Sequence, residues 1–202
     1  GASNEAYAAM GAILKVKHPG VNGVYNAADG NYGKEVATYK VTKNDVKFAT
    51  GYKVTLGDGV TAEINGETVS NTTIVVKNGE KIDTLAVDTT KGTTAVWQPT
   101  GSVPYASSKV DKDVAINTSG TLVAATEVAG LSGMTVEYRV GEGDHFVTGP
   151  TISGTVYVKK GTVLEVSKSS GDNVVVEGAE SFENNNAPMI IFTVGADKVT
   201  VK

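Results

Sequence analysis

At 202 residues, with a formal net charge of −4 and no cysteine, the chain is long enough to bury a core without disulfides or a structural metal. This charge balance provides no basic field for nucleic acid or anionic lipid, and the missing cysteines exclude disulfides, thiol catalysis and Cys-ligated metals. Aromatics are only 6%, and Val, Thr, Gly, Asn and Asp dominate instead, which points to an all-β, turn-rich fold.

Residues 1–33 read as an N-terminal extension: an edge strand or short helix, plus a loop. Ala6-Tyr7-Ala8-Ala9-Met10 with Ser3 or Asn4 as cap is the helix alternative. Ala12-Ile13-Leu14-Lys15-Val16 predicts a strand stopped by His18-Pro19-Gly20. Val21 to Gly33 is loop-like, with turn signals at Asn22-Gly23, Asp29-Gly30 and Gly33. No signal peptide is read at this end, as expected of a sequence that begins after one or inside a longer protein, and Gly1-Ala2-Ser3 reads in part as a cloning remnant. No apolar run approaches the roughly 20 residues of a membrane span, so no membrane insertion is expected.

From Lys34 the strands become regular. Val36 to Val41 alternates, and Val46-Lys47-Phe48 begins another strand. In Tyr52-Lys53-Val54-Thr55-Leu56 every second residue is apolar, which makes one face greasy and the other polar. Thr61 to Ile64 and Thr73 to Val76 repeat the pattern with β-branched residues. Asn65-Gly66 and Asn78-Gly79 suit tight hairpin turns with φ > 0, so the stretch from Gly51 to Leu85 predicts an antiparallel meander. Ile82 to Val87 and Thr93 to Trp97 add two strands. Gln98 to Ser108, with two prolines and three serines, reads as a linker.

The second half restarts with Val114-Ala115-Ile116, turns at Asn117 to Gly120, and continues through Leu122-Val123. A shift of 82 positions superposes the halves. Gly51 meets Gly133, Val54 meets Val136, Gly59 meets Gly141, Thr73 meets Thr155, Val76-Lys77 meets Val158-Lys159 and Gly79 meets Gly161. That predicts a duplicated unit of about eighty residues, too long for a solenoid coil and suited to tandem immunoglobulin-like β-sandwich modules. The expected division is 34–108 for the first module and 109–202 for the second.

Gly154 to Val166 (GTVYVKKGTVLEV) resembles the hairpins of repeat domains in bacterial cell-surface and surface-layer-type proteins. Ile190 to Val194 followed by Lys198 to Lys202 resembles a terminal strand leading into a next module. The resemblance covers residues 50–202. It implies an extracellular, bacterial cell-surface location and a role in display, spacing or adhesion. The partners it implies are other domains of the same surface protein, or further copies by self-assembly. No catalytic residue carries over. Lys–Asn isopeptide crosslinks occur in some such adhesins, but the sequence singles out no pair.

Chemistry is sparse. His18 reads as a turn residue. Asp144-His145 reads as a hairpin tip, because strand neighbours point to opposite faces and converge poorly on one ion. No zinc spacing, hydrolase elbow, phosphate loop or dinucleotide fingerprint is present. Asp111-Lys112-Asp113 with Asn117, Asp29-Gly30-Asn31 and Asp58 supply oxygens, yet they also meet ordinary turn requirements, so no metal and no cofactor are expected. The acids Glu177 with Glu180 and Glu142 with Asp144 do not by sequence spacing make a glycosidase pair, so no enzyme is expected. Trp97 and Tyr105 are the ligand-binding candidates of an alternative reading, a carbohydrate-binding module recognising cell-wall, environmental or host glycans. The competing reading of Trp97 is a plug for a core or joint.

Overall fold

A computed structural model describes residues 7–17, 23–26, 36–42, 48–64, 66–101, 103–143, 145–148 and 154–202. The described residues are all-β and contain no helix. The strands are β1 (Ile13–Lys17), β2 (Gly23–Asn26), β3 (Val36–Lys40), β4 (Phe48–Leu56), β5 (Val60–Ile64), β6 (Glu67–Ser70) and β7 (Thr73–Lys77). They continue with β8 (Ala86–Val87), β9 (Thr94–Trp97), β10 (Tyr105–Ala106), β11 (Gly120–Ala129), β12 (Met134–Arg139) and β13 (Phe146–Thr148). Last come β14 (Thr155–Val158), β15 (Val163–Lys168), β16 (Val176–Glu177), β17 (Ser181–Glu183), β18 (Met189–Thr193) and β19 (Val199–Val201).

Strand β11 organises the rest. Its first residues pair in parallel with β4, Gly120 opposite Val54 and Leu122 opposite Leu56. The same stretch pairs antiparallel with β9, Leu122 opposite Trp97. Its last residues pair antiparallel with β14 and in parallel with β19, Val128 facing Val156 on one side and Val199 on the other. Leu122, Val123, Ala124, Ala125 and Thr126 are all buried, so this strand is covered on both faces. A continuous apolar run is what such a strand requires.

Two cores lie along it. The first gathers Val54, Leu56, Ile74, Val76 and Leu122 from the large sheet against Val60 and Ala62 of the three-stranded sheet β6-β5-β8. The second gathers Val128, Val156, Val158, Val199 and Val201 against Val136, Tyr138, Leu164, Val166 and Phe192 of the five-stranded sheet β13-β12-β15-β18-β17. The cores interleave around the expected division between Ser108 and Lys109. Tyr105 lies before it and packs in the second core, whereas Val110 and Ile116 lie after it and pack in the first.

One scheme of pairing occurs around both cores. The first strand lies between an antiparallel neighbour and a parallel last strand: β7, β4 and β11 in one case, β14, β11 and β19 in the other. The turn before the second strand repeats too. Val60 N–H donates to Gly57 O at 3.2 Å with Gly59 at φ +76°, and Met134 N–H donates to Leu131 O at 3.1 Å with Gly133 at φ +75°. Gly79 N–H donates to Ile116 O and Gly161 N–H to Val194 O, both at 2.8 Å. Thr73, Val76 and Gly79 therefore do correspond to Thr155, Val158 and Gly161.

The same shift fails earlier in the chain. Gly59 corresponds to Gly133, not to Gly141, and Val54 corresponds to Val128, not to Val136. Between first strand and fourth, 20 positions separate Val54 from Ile74, but 28 separate Val128 from Val156. The longer β12–β13 loop absorbs half of the difference and the longer β13–β14 connection the other half.

Several local expectations also change. Phe48 and Tyr52 to Leu56 belong to one nine-residue strand, β4, running through Gly51, while Val46 and Lys47 lie outside the described residues. Gly51 fits because a Cβ there would run into Val75 and the Val76 backbone. The meander is broken: β7 returns to β4, Tyr52 opposite Val76, while the β5–β6 hairpin stands in another sheet. Asn78-Gly79 ends β7 without starting a hairpin. Val114 to Ile116 makes a single bridge, Ala115 with Lys81, and no strand. The loop-like Val21 to Gly33 contains β2, because a long partner strand, β4, outweighs its turn signals.

Candidate functional site

Loops from both cores meet at one cleft. The turn Gly57-Asp58-Gly59 supplies Asp58, and the β8–β9 connection supplies Thr90 and Lys91. The turn after β14 supplies Lys159, Lys160 and Gly161, and Glu180 closes the far side. The cleft holds about 520 Å³. Two glycines allow the approach. Gly161 sits at φ +90°, a region that suits Gly. Gly92 lies so close to Ala125 that a Cβ would come within 2.5 Å of its carbonyl oxygen.

The polar groups of this cleft mostly satisfy one another. Asp88 accepts from the Thr90 hydroxyl at 2.7 Å and the Thr90 N–H at 2.9 Å. The hydroxyl first, and then the N–H, holds its carboxyl below the ordinary range. Lys91 pairs with Asp58, whose hydrogen bond and charge raise the ammonium pKa. Lys160 donates to Thr90 O at 3.3 Å. All these groups face water, so each pair contributes little to stability. The Lys160 bond ties a loop of one core to a loop of the other.

A second hollow of about 270 Å³ lies beside it, also bordered by Lys159. Its floor is Val96, Val123 and Ala125, a small buried cluster on the side of β11 away from the first core. Half-buried Tyr157 packs on that cluster, and Gln98, Pro99 and Pro104 form the rim.

The two candidate aromatics do not meet there. Trp97 is half-buried against the first core, its ring lying over Gly120, where a Cβ would come within 2.9 Å. Tyr105 is 7% exposed in the second core and packs edge-on against Tyr138 at 6.1 Å between ring centres. A ring face so enclosed has no room for a sugar. Its hydroxyl has no hydrogen-bond partner among the described residues, and burial, then Tyr138, raises its pKa.

The other candidates are dispersed. His145 is exposed, and its N-terminal neighbour Asp144, like His18 and Asp29-Gly30-Asn31, lies outside the described residues. Asp111 accepts the Asp113 N–H at 2.9 Å and pairs with Lys109 at 3.2 Å, so its oxygens serve the turn. Glu177 pairs with Lys202 rather than with Glu180. No three His, Cys, Asp or Glu side chains come together among the described residues.

Sequence reasoning missed one carboxylate pair. Glu137 and Glu165 stand opposite each other on β12 and β15. Burial, then the charge and hydrogen bonding of Glu137, raises the Glu165 pKa. Each Glu alternates with apolar residues in its strand, which was a readable signal for one shared face, but the pairing needs the register. No family model, curated protein or solved structure matches this chain.

Proposed function

We propose that the chain is a non-catalytic structural and adhesive segment of a bacterial cell-surface protein, in which tandem immunoglobulin-like β-sandwich modules space or assemble domains outside the cell. The observation that carries this reading is the shared strand β11. One uninterrupted strand is the last strand around the first core and the first strand around the second. A joint of this kind contains no free linker residue, so neighbouring units hold a fixed orientation, which is what a spacer requires.

The parallel pairings add to the argument. Tension applied from the N-terminal side of β4 and the C-terminal side of β19 pulls each parallel pair lengthwise. The ladder bonds between β4 and β11, and between β11 and β19, are then loaded together rather than one after another. Each such bond is worth only about 1 kcal/mol net, so sharing the load matters. The Cys-free composition and the Gly154 to Val166 hairpin support the surface location and the partnership with neighbouring domains or further copies.

The absence of native cysteine makes the test direct. Spin labels on Thr68→Cys and Glu183→Cys, one on each side of the joint, should give a single narrow distance. Inserting Gly-Ser-Gly between Ala125 and Thr126 should broaden it. A broad distribution in the uninterrupted protein would sink the spacer reading.

A second reading, a carbohydrate-binding module, rests on the hollow beside Tyr157. An aromatic ring there borders Gln98, Lys159 and Thr162, a mixture that suits a sugar's C–H face and hydroxyls. Saturable binding on a glycan array, lost in Tyr157→Ala but kept in Trp97→Ala, would favour it.

A further inference from the structure

The scheme around the two cores has a third occurrence, at the N-terminal end. In the first core Gly79 N–H donates to Ile116 O, Ile116 N–H to Glu80 O, and Glu80 N–H to Lys77 O, at 2.8, 2.8 and 3.0 Å. In the second, Gly161, Val194 and Thr162 make the matching bonds at 2.8, 2.9 and 3.1 Å. Near the N-terminus Gly11 N–H donates to Val41 O at 2.7 Å, Val41 N–H to Ala12 O at 2.8 Å, and Ala12 N–H to Ala9 O at 3.0 Å. The three glycines share one backbone state, with φ of +85°, +81° and +90° in chain order.

Strand registers agree as well. β2 meets the start of β4 through four successive antiparallel pairs, Gly23–Gly51 to Asn26–Phe48. β9 meets the start of β11 through four successive pairs, Thr94–Ala125 to Trp97–Leu122. β1 and β3 pair from Ile13–Lys40 to Lys17–Val36, and β15 and β18 pair from Val163–Thr193 to Ser167–Met189. Strand β4 thus stands to the N-terminal segment as β11 stands to the first core.

What differs is the covering. Val76 and Val158 are fully buried, but Ala8 is exposed. Ile82 and Leu164 are buried, as are Ile116 and Val194, yet Leu14 and Val41 are only half-buried. Among the described residues, no counterpart of the first strand or of the hairpin after it accompanies this segment.

We propose that the segment Tyr7 to Lys17, β2, β3 and the beginning of β4 are the C-terminal part of a third module of the same kind, and that the open apolar face at Leu14, Val16 and Val41 receives one occupant. That occupant is the polypeptide running into Tyr7 from its N-terminal side. It enters as a strand parallel to the beginning of β4 and returns through an alternating apolar hairpin. The two complete cores say what covers this face: the counterparts of Val54 to Ser70 or of Val128 to Thr148. The spacing between first and fourth strands, 20 or 28 positions, sets the length of the missing piece. The last strand of a second copy does not fit, because β19 already serves as a last strand and is paired on both sides, by β11 and β16. Adding a strand to an open edge supplies main-chain partners, and the alternate side chains supply the core.

This inference rests on the tandem-module reading, and its test is separate from the distance measurement across β11. The parent chain is expressed with its naturally preceding residues, and amide exchange is followed at Ala8, Leu14, Val16 and Val41. Exchange there should slow at least tenfold relative to residues 1–202 alone, while Val54 to Val201 stays unchanged. Leu14→Asp should remove that slowing and leave the two complete cores intact. Unchanged exchange in the extended protein, or a parent chain with no strand-and-hairpin segment before Gly1, overturns the proposal. Either result leaves the fixed orientation across β11 to stand or fall by itself.

Discussion

The first and second cores follow one pairing scheme but are filled differently. The second holds Phe192, Tyr105 and Tyr138 under a five-stranded sheet, with five successive pairs joining β15 to β18. At the equivalent place the first core has one bridge, Lys81 with Ala115, and its facing sheet has three short strands. Its buried side chains are aliphatic, with the aromatics Tyr52 and Trp97 at the margin. The difference teaches that the backbone scheme is set by the parallel strand pair and the glycine turns, while the facing sheet can thin to isolated bridges. Stability should follow the filling, so the second core should be the more stable of the two.

Five changes test that contrast, from the largest effect to the smallest. Phe192→Ala should cost about 3–5 kcal/mol, because it opens a cavity under the five-stranded sheet. Leu56→Ala, in the first core, should cost about 2–5 kcal/mol. If the shared strand couples the two, chemical denaturation of either variant will show loss of both cores in one transition. Two separated transitions in Phe192→Ala, with the first core melting as in the wild type, would break the comparison into independent units.

Gly130→Ala is the next largest. Gly130 has φ +85°, and a Cβ there would overlap the Val201 carbonyl oxygen. Backbone strain alone costs about 1–3 kcal/mol, and separation of β11 from β19 adds to it. Thermal melting should fall further than for Gly133→Ala, which has the same backbone sign but open space around it. Equal losses would mean that the close approach of the two strands contributes nothing.

Tyr105→Phe should stabilise the protein by about 1 kcal/mol, because the buried hydroxyl it removes has no partner. The raised pKa gives the same expectation a pH signature. A folded phenol that holds its proton to higher pH stabilises the fold up to the ordinary tyrosine range, and the contribution is lost as pH rises through the raised value. Tyr105→Phe should therefore melt higher than the wild type, and most clearly at alkaline pH. A loss of stability would show that the hydroxyl is satisfied in solution.

Glu165→Gln should have the smallest effect. The folded Glu165 carboxyl keeps its proton to higher pH than the unfolded one, through burial and then Glu137. Its contribution is full below the ordinary glutamate range and falls away as pH rises through the raised value. The variant should lose that slope and gain up to about 1 kcal/mol at neutral pH, the cost of like charges facing across strands. Urea midpoints measured from pH 4 to 8 would show it, and parallel curves for the two proteins would remove the pair from the account.

Much of the fold was legible because it is local. Gly66 and Gly79 announce their turns through φ, and the alternation of Tyr52 to Leu56 announces a half-buried strand. The β4–β7 pairing was not legible, because a complete hairpin intervenes and nothing local names the partner. The double membership of β11 did leave a signal. Leu122-Val123-Ala124-Ala125 is apolar on both alternating faces, which a strand with one wet face does not need. At the candidate site, Trp97 as a plug was among the readings open from sequence. Tyr105 is a ligand-binding candidate from sequence alone, and its burial depends on β14, some fifty residues away. The cleft at Asp58, Lys91 and Lys160 was invisible to sequence, since it is assembled from turns of both cores.

Thr126 stands where the shared strand changes partner from β9 to β14, and it is fully buried with its hydroxyl on Gly195 O at 2.6 Å. A β-strand twists in one hand by a set amount along its length. A strand that belongs to two neighbours therefore converts its own twist into the rotation between them. On the tandem-module proposal, units joined this way would not swivel, and each added unit would turn by the same angle in the same sense. A long array built on this rule would wind as a screw, and the number of residues in the shared strand would set its pitch.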